Sequence, residues 1–185
     1  MRARLREVRK GHVTGLPAAT RALVLMRPPA VLARAIPEGA TVGLYHAVGA
    51  EAPTRGFARW FQENGRKVAL PWFATREAGM AFREWRDPWN DDGLVPGPFA
   101  MPQPGDDAGA LVPDWVIVPL LGFTAAGDRL GQGAGHYDRW LAAHPGARAV
   151  GLAWDCQLVE TLPVEPHDRP LEAVVTPTRL YGELA

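Results

Sequence analysis

The 185 residues contain 47% hydrophobic and 22% charged side chains and seven tryptophans, a composition that excludes a disordered tail and fits one domain with a sizeable core. Twenty Lys+Arg balance twenty Asp+Glu, so no net field exists for sequence-independent capture of nucleic acid. One cysteine, Cys156, excludes an internal disulfide and a cysteine-based zinc cluster, and no apolar run reaches the ~18–20 residues of a membrane span, so the expected location is the cytoplasm.

In chain order, the first feature is a basic head. Residues 1–36 hold Arg2, Arg4, Arg6, Arg9, Lys10, Arg21, Arg27 and Arg34 against one acid, Glu7, a local charge of +7 that leaves −7 for the remainder. Such a head is a contact for an anionic ligand, a solvated helix face or a tail; exposed charge is the default. Residues 20–36 have a helical pattern interrupted by Pro28 and Pro29, which predicts two helical pieces. Residues 41–46 (TVGLYH) read as a buried strand. Over 53–65, Phe57, Trp60 and Phe61 recur at i, i+3, i+4 and Gly65 closes the pattern, predicting an amphipathic helix. Residues 67–71 (KVALP) form a second strand. The stretch 87–113 is rich in Pro, Gly and Asp and too long for an ordinary connection, which predicts a functional lid or mobile segment. Further strands are predicted at 115–119 (WVIVP), 147–154 (ARAVGLAW) and 173–176 (AVVT), with a helix over 137–143. Trp72, Trp85, Trp89 and Trp115 read as core or loop-anchoring residues. Strand and helix alternate, so the predicted fold is α/β: a single domain over 1–185, mainly a parallel sheet with helices on both faces.

The chemistry concentrates in residues 119–140, PLLGFTAAGDRLGQGAGHYDRW. Here Arg129 precedes Gly131, Gly133 and Gly135 at every second position. Glycines at that density let backbone N–H groups approach an anion, and a following helix N-terminus adds positive partial charge. A phosphate site is the functional reading; a turn that merely lets strand and helix pack is the alternative. The Walker pattern fails, since no Gly-Lys-Ser/Thr follows. The dinucleotide fingerprint also fails, because the spacing is G-x-G-x-G, and Asp155 only imitates its ribose-binding acid. Asp138 sits where it caps a helix or holds Mg²⁺, which favours one or two carboxylates plus phosphate oxygens; Asp168 is a second candidate.

The run RLGQGAGHYDRWL, preceded by VPLLGFTAAGD and followed by LPVEPHDRPLEAVVT, resembles the signature of the 5-formyltetrahydrofolate cyclo-ligase, or methenyltetrahydrofolate synthetase, family. The likeness extends over nearly the whole chain, through Tyr45-x(5)-Glu51, the segment 65–71 and the Pro104-Gly105 pair. It implies the sheet architecture shared with sugar-phosphate isomerases and CoA-transferases. It further implies ATP- and Mg²⁺-dependent cyclisation of 5-formyltetrahydrofolate to 5,10-methenyltetrahydrofolate, by phosphorylation of the formyl oxygen.

The family's K-x-x-L-R element appears as Arg2-Ala-Arg-Leu5-Arg6, with arginine replacing lysine at Arg2. Arg2 and Arg6 are thus implied to meet ATP phosphates, together with a cradle of Arg129, Leu130, Gly131, Gln132, Gly133, Ala134, Gly135, His136 and Tyr137. Arg129 is the implied catalytic charge, and Asp138 and Asp168 the implied Mg²⁺ ligands. Folate contacts are implied at His46, Glu51, Phe99 and His136, the last replacing the first tyrosine of the usual Tyr-Tyr-Asp. The expected partners are the two small substrates, without nucleic acid, membrane or an obligate protein. The alternatives are a non-catalytic nucleotide- or folate-binding protein, and an isomerase or CoA-transferase relative that uses neither ATP nor Mg²⁺.

Overall fold

Side chains along the central strands alternate between two buried clusters, and that alternation sets the architecture. In the computed structural model, which describes residues 1–163 and 169–184, Trp115, Ile117, Val150, Leu152, Ala173 and Val175 enter one apolar cluster, while Val116, Val118, Ala149 and Val174 enter a second. Strands covered on both faces read as near-continuous apolar runs, which is why they were legible as such.

The elements run α1 (Arg2–Gly15), α2 (Ala18–Leu23), α3 (Ala30–Ala35), β1 (Thr41–Gly43), α4 (Arg55–Glu63), β2 (Lys67–Trp72), β3 (Ala81–Glu84), β4 (Leu94–Pro96), β5 (Pro102–Pro104), β6 (Ala110–Leu111), β7 (Trp115–Pro119), β8 (Gly122–Phe123), β9 (Arg129–Leu130), α5 (His136–Ala143), β10 (Arg148–Leu152), β11 (Ala173–Val175) and β12 (Leu180–Gly182). Eight strands form one sheet in the order β12-β11-β10-β7-β1-β2-β3-β6. Its centre is parallel, and β12, β3 and β6 are antiparallel additions at the edges. Val13, Leu32, Ile36, Phe57 and Phe61 from α1, α3 and α4 and their flanks cover one face. Trp140 and Leu141 of α5 cover the other, with Phe82 and Phe123. Each such large apolar side chain contributes about 1.5–3 kcal/mol by burial. Helices therefore occupy both faces, as the alternation predicts.

Pro28 and Pro29 separate α2 from α3, and Pro29 caps α3. The basic head is a 14-residue helix whose Leu5, Arg9 and Val13, at i, i+4, i+8, face inward. The segment 87–113, expected to be a functional lid or mobile stretch, contains three short strands. β4 pairs with β5, and β6 extends the sheet through β3. Buried Gln103 ties the segment down, accepting from Phe73 N–H and donating to Phe73 O, both at 3.1 Å. The Pro and Gly residues make tight reversals rather than slack: Gly97 N–H donates to Met101 O at 2.8 Å and Gly105 N–H to Gly93 O at 2.9 Å. Trp85 and Trp115 are buried, as expected of packing residues, whereas Trp89 is 41% exposed and lies near the Arg59 guanidinium.

Neighbouring β1 and β7 leave the sheet in opposite directions. β1 leads through α4 to β2 on one side; β7 leads through α5 to β10 on the other. In parallel α/β sheets such a switch opens a crevice beyond the strands' carboxyl ends. Residues 44–51 and 120–138, which hold most of the candidate residues, follow those two ends.

Candidate active site

Immediately after β7 the chain folds into the β8–β9 hairpin, with Phe123 opposite Arg129. Its turn is closed by Thr124 N–H donating to Asp128 O at 3.0 Å and Thr124 Oγ1 donating to Asp128 Oδ2 at 2.9 Å. Gly127 has φ +94°, and a Cβ there would lie 2.5 Å from Leu171 O, so both conformation and space require glycine. The hairpin delivers Arg129, 9% exposed, between two acceptors. One terminal N–H donates to Arg169 O at 2.5 Å and the other to Asp138 Oδ1. Charge-assisted bonds of this kind are about twice as strong as neutral ones. Arg129 and Asp138 therefore act as one brace between β9 and α5.

Of the three glycines ahead of α5, Gly133 (φ +109°) and Gly135 (φ +66°) use left-handed backbone, and Gly131 does not. Gly135 caps α5 with no side-chain acceptor. The first N–H groups of the helix consequently have no partner within it, which makes an anion-attracting end. Asp138 does not cap the helix; it stands in the first turn and answers Arg129.

The arginines of α1 converge on this segment. Arg2 Nε donates to Gly131 O at 3.1 Å; Arg6 donates to Gln132 Oε1 at 3.1 Å and to Gln132 O at 3.3 Å. Leu130 is buried with Leu5 and Leu121 and seats α1 on the hairpin. Ala134 O accepts from Arg139 at 2.9 Å.

On the β1 side, Tyr45 OH donates to Ala52 O at 2.6 Å, and Trp154 Nε1 to Ala50 O at 3.0 Å, which shapes the loop around Glu51. Val48 N–H donates to Glu51 Oε2 at 3.1 Å. Burial pushes the Glu51 carboxyl up, opposed by the Val48 N–H, Arg9 and Gln132. Burial also raises the phenols of Tyr45 and Tyr137, and Glu51 raises both further. Glu51 thus lies within electrostatic reach of Gln132 and Tyr137.

His136, at the start of α5, joins Phe73 and Phe99 in an aromatic triangle, with ring centroids 4.8 Å (Phe73–His136), 5.0 Å (Phe73–Phe99) and 5.4 Å (Phe99–His136) apart. Burial, aided by Arg139, lowers its pKa. Arg139 donates to Nδ1 at 3.1 Å, so the neutral ring carries its proton on Nε2. The structure thus unites Phe99 with His136 and adds Phe73, an aromatic that no local pattern singles out in the sequence. His46 is placed differently. Its Nε2 meets Asp91 at 3.2 Å, Arg55 pairs with the same carboxylate, and Trp85 lies 5.9 Å away. None of these partners belongs to the glycine segment.

Among the described residues, no group of three or more His, Cys, Asp or Glu side chains is arranged to hold a metal. Mg²⁺ needs less protein than that, since substrate phosphates and waters complete its shell. Asp138 is 28% exposed and gives Arg129 only one oxygen, so its other oxygen fits such an ion. Asp168 lies outside the described residues. Asp155 accepts from the hydroxyls of Thr176 and Thr178, each at 2.6 Å. No helix among the described residues is long and apolar enough to cross a membrane.

Residues 1–177 match the model of the 5-formyltetrahydrofolate cyclo-ligase family. A 5-formyltetrahydrofolate cyclo-ligase of Escherichia coli K12 is 36% identical over 173 residues, 90% of each chain. One from Mycolicibacterium smegmatis is 32% identical over 148 residues, 76% of this chain and 75% of the relative. Among solved structures, a 5,10-methenyltetrahydrofolate synthetase of Mycoplasma pneumoniae superposes with a TM-score of 0.64 at 18% identity, over 94% of this chain and 96% of that one. That of Aquifex aeolicus does so at 0.62 and 24%, over 98% and 82%. Both share the fold.

Proposed function

The chain belongs to the 5-formyltetrahydrofolate cyclo-ligase family, an enzyme of the ligase class, and from that premise we propose that it converts 5-formyltetrahydrofolate and ATP to 5,10-methenyltetrahydrofolate, ADP and phosphate. The observation that carries this reading is the convergence of Arg2 and Arg6 on the glycine segment beside the Arg129–Asp138 brace. Glu51 and the His136–Phe99–Phe73 triangle adjoin the same segment.

A formyl oxygen is a poor leaving group, and phosphorylation corrects this. The oxygen attacks the γ-phosphorus, an O–P bond forms, and the bond to ADP breaks. The neighbouring folate nitrogen then attacks the activated carbon and loses its proton, and the C–O bond breaks to release phosphate. Such a reaction asks the protein mainly for alignment and charge compensation. Arg2, Arg6 and the free N–H groups at the start of α5 would hold the triphosphate. Arg129 would fix Asp138 and lend its charge to the cradle from behind. Mg²⁺ on Asp138, with Asp168 by the family pattern, would neutralise charge on the phosphate oxygens. Glu51 would accept from the pterin's amino and ring N–H groups, and the aromatic triangle would pack on the folate. His46 would hold the loop after β1 through Asp91.

The direct test mixes the protein with 5-formyltetrahydrofolate, ATP and Mg²⁺ and follows the methenyl chromophore. Product should accumulate with one ADP each, and chelation of the metal should stop it. No product at high protein concentration would refute the proposal.

A further inference from the structure

The triangle of Phe73, Phe99 and His136 has an arginine at two of its corners, and the two differ in what they hold. At the His136 corner Arg139 is engaged, since one terminal nitrogen donates to Ala134 O at 2.9 Å and to His136 Nδ1 at 3.1 Å. At the Phe99 corner stands Arg76, on the loop that follows Phe73. Its Nε–H donates to Pro98 O at 2.8 Å, and its guanidinium lies 5.7 Å from the Phe99 ring centroid. These two contacts fix the stem and the position of the group. Its terminal N–H groups point to no protein acceptor among the described residues, no carboxylate pairs with it there, and the side chain is exposed. The corner itself is rigid. Gln103 bonds both the N–H and the O of Phe73, and the turn over 97–101 packs on that same glutamine, where a Cβ on Gly97 would lie 2.4 Å from Gln103 Oε1.

An exposed arginine is by default a solvated charge. Arg76 differs in being tethered beside an aromatic platform with its fork of donors unused. A folate is a chain of rings that ends in a glutamate with two carboxylates, and a guanidinium fork matches a carboxylate in bidentate fashion. We propose that Arg76 is a specificity residue that takes a carboxylate of the substrate's glutamate tail, at the end of the triangle away from the glycine segment. This rests on the reading that the triangle packs on the folate. The direction follows from the neighbours of each corner. His136 adjoins Tyr137 at the start of α5, next to the glycine segment, whereas the contacts of Arg76 are with Pro98 and Phe99. A folate with its pterin on the Glu51 side therefore crosses the triangle and delivers its anionic end to the Phe99 corner.

The test is the Kd, by titration calorimetry without ATP, of 5-formyltetrahydrofolate and of its diamide, in which both glutamate carboxylates are carboxamides of the same shape. Wild type should bind the acid about fivefold more tightly than the diamide, as a partly exposed charge pair allows. Arg76→Gln should weaken the acid by about that factor and leave the diamide unchanged, so that the preference disappears. Arg76→Lys should keep part of the preference, because it retains the charge without the fork. An Arg76 that merely braces Pro98 and Phe99 would, when replaced, weaken both compounds alike, and that result overturns the inference. Equal binding of acid and diamide by wild type overturns it too. Phe73→Ala separates this inference from the reading beneath it, and should weaken both compounds while keeping the preference for the acid. If neither Kd moves in Phe73→Ala, or if wild type binds neither compound, the folate does not lie on the triangle and this inference falls with that assignment. Weaker binding in Phe73→Ala beside an unchanged preference in Arg76→Gln removes this inference alone.

Discussion

Replacement of Arg129 by alanine should damage the enzyme twice, and the two losses are separable. The guanidinium bridges Arg169 O and Asp138 while only 9% exposed. Removing it deletes two charge-assisted bonds, each typically contributing about 1.5–3 kcal/mol. Asp138 is 28% exposed, so water recovers part of that loss, and a net destabilisation of about 2–3 kcal/mol is expected. For a chain of this size, that lowers Tm by about 5–10 °C. Turnover should fall much further, by about 1,000-fold or more, if this cation also lowers the barrier to phosphoryl transfer. Thermal melting and the chromophore assay, run below the variant's melting range, read the two effects apart. Arg129→Lys keeps the charge but not the planar fork, so it should recover part of the activity and little of the Tm. An alanine variant with wild-type turnover would remove Arg129 from the catalytic account, and an unchanged Tm would contradict the brace between β9 and α5.

Other substitutions probe the supports around it. Gly127→Ala places a Cβ 2.5 Å from Leu171 O at φ +94°, and should cost at least about 1–3 kcal/mol in chemical denaturation. Phe73→Ala opens the aromatic triangle and should raise folate KM about tenfold, with ATP KM unchanged; equal effects on both would refute a folate-side role. Because burial lowers the His136 pKa, the unfolded chain takes up this proton more readily than the folded one. Stability should therefore fall as pH drops below the ordinary histidine value of about 6.5. His136→Tyr should flatten that part of the stability profile, measured by denaturant midpoint against pH.

The parallel strands were readable because burial on both faces makes them continuous apolar runs, and residues 115–119 match β7 end to end. The edge was not. β4, β5 and β6 are two or three residues long, and their anchoring depends on Gln103 reaching Phe73, a contact across 30 positions that Pro-Gly content cannot reveal. The glycine segment and Asp138 were visible in one continuous motif, whereas Phe73 and Arg9 were not. Phe73 gains meaning only when the chain leaving β2 sets it against Phe99 and His136. Arg9 could have been placed inward by its spacing from Leu5 and Val13, but a charge on a basic helix reads as solvated until its surroundings are known. The balanced net charge similarly concealed a division within α1, whose Arg2 and Arg6 donate to the glycine segment while Arg9 is buried and donates to Leu120 O.

The central claim is that this site activates the formyl oxygen by transferring phosphate to it. Turnover of 5-formyltetrahydrofolate labelled with oxygen-18 in the formyl group tests that directly, with the released phosphate analysed by mass spectrometry. The label should appear in the phosphate, one atom for each methenyl product formed. Label released into water, with unlabelled phosphate, would show that the oxygen leaves without having been phosphorylated and would contradict the account.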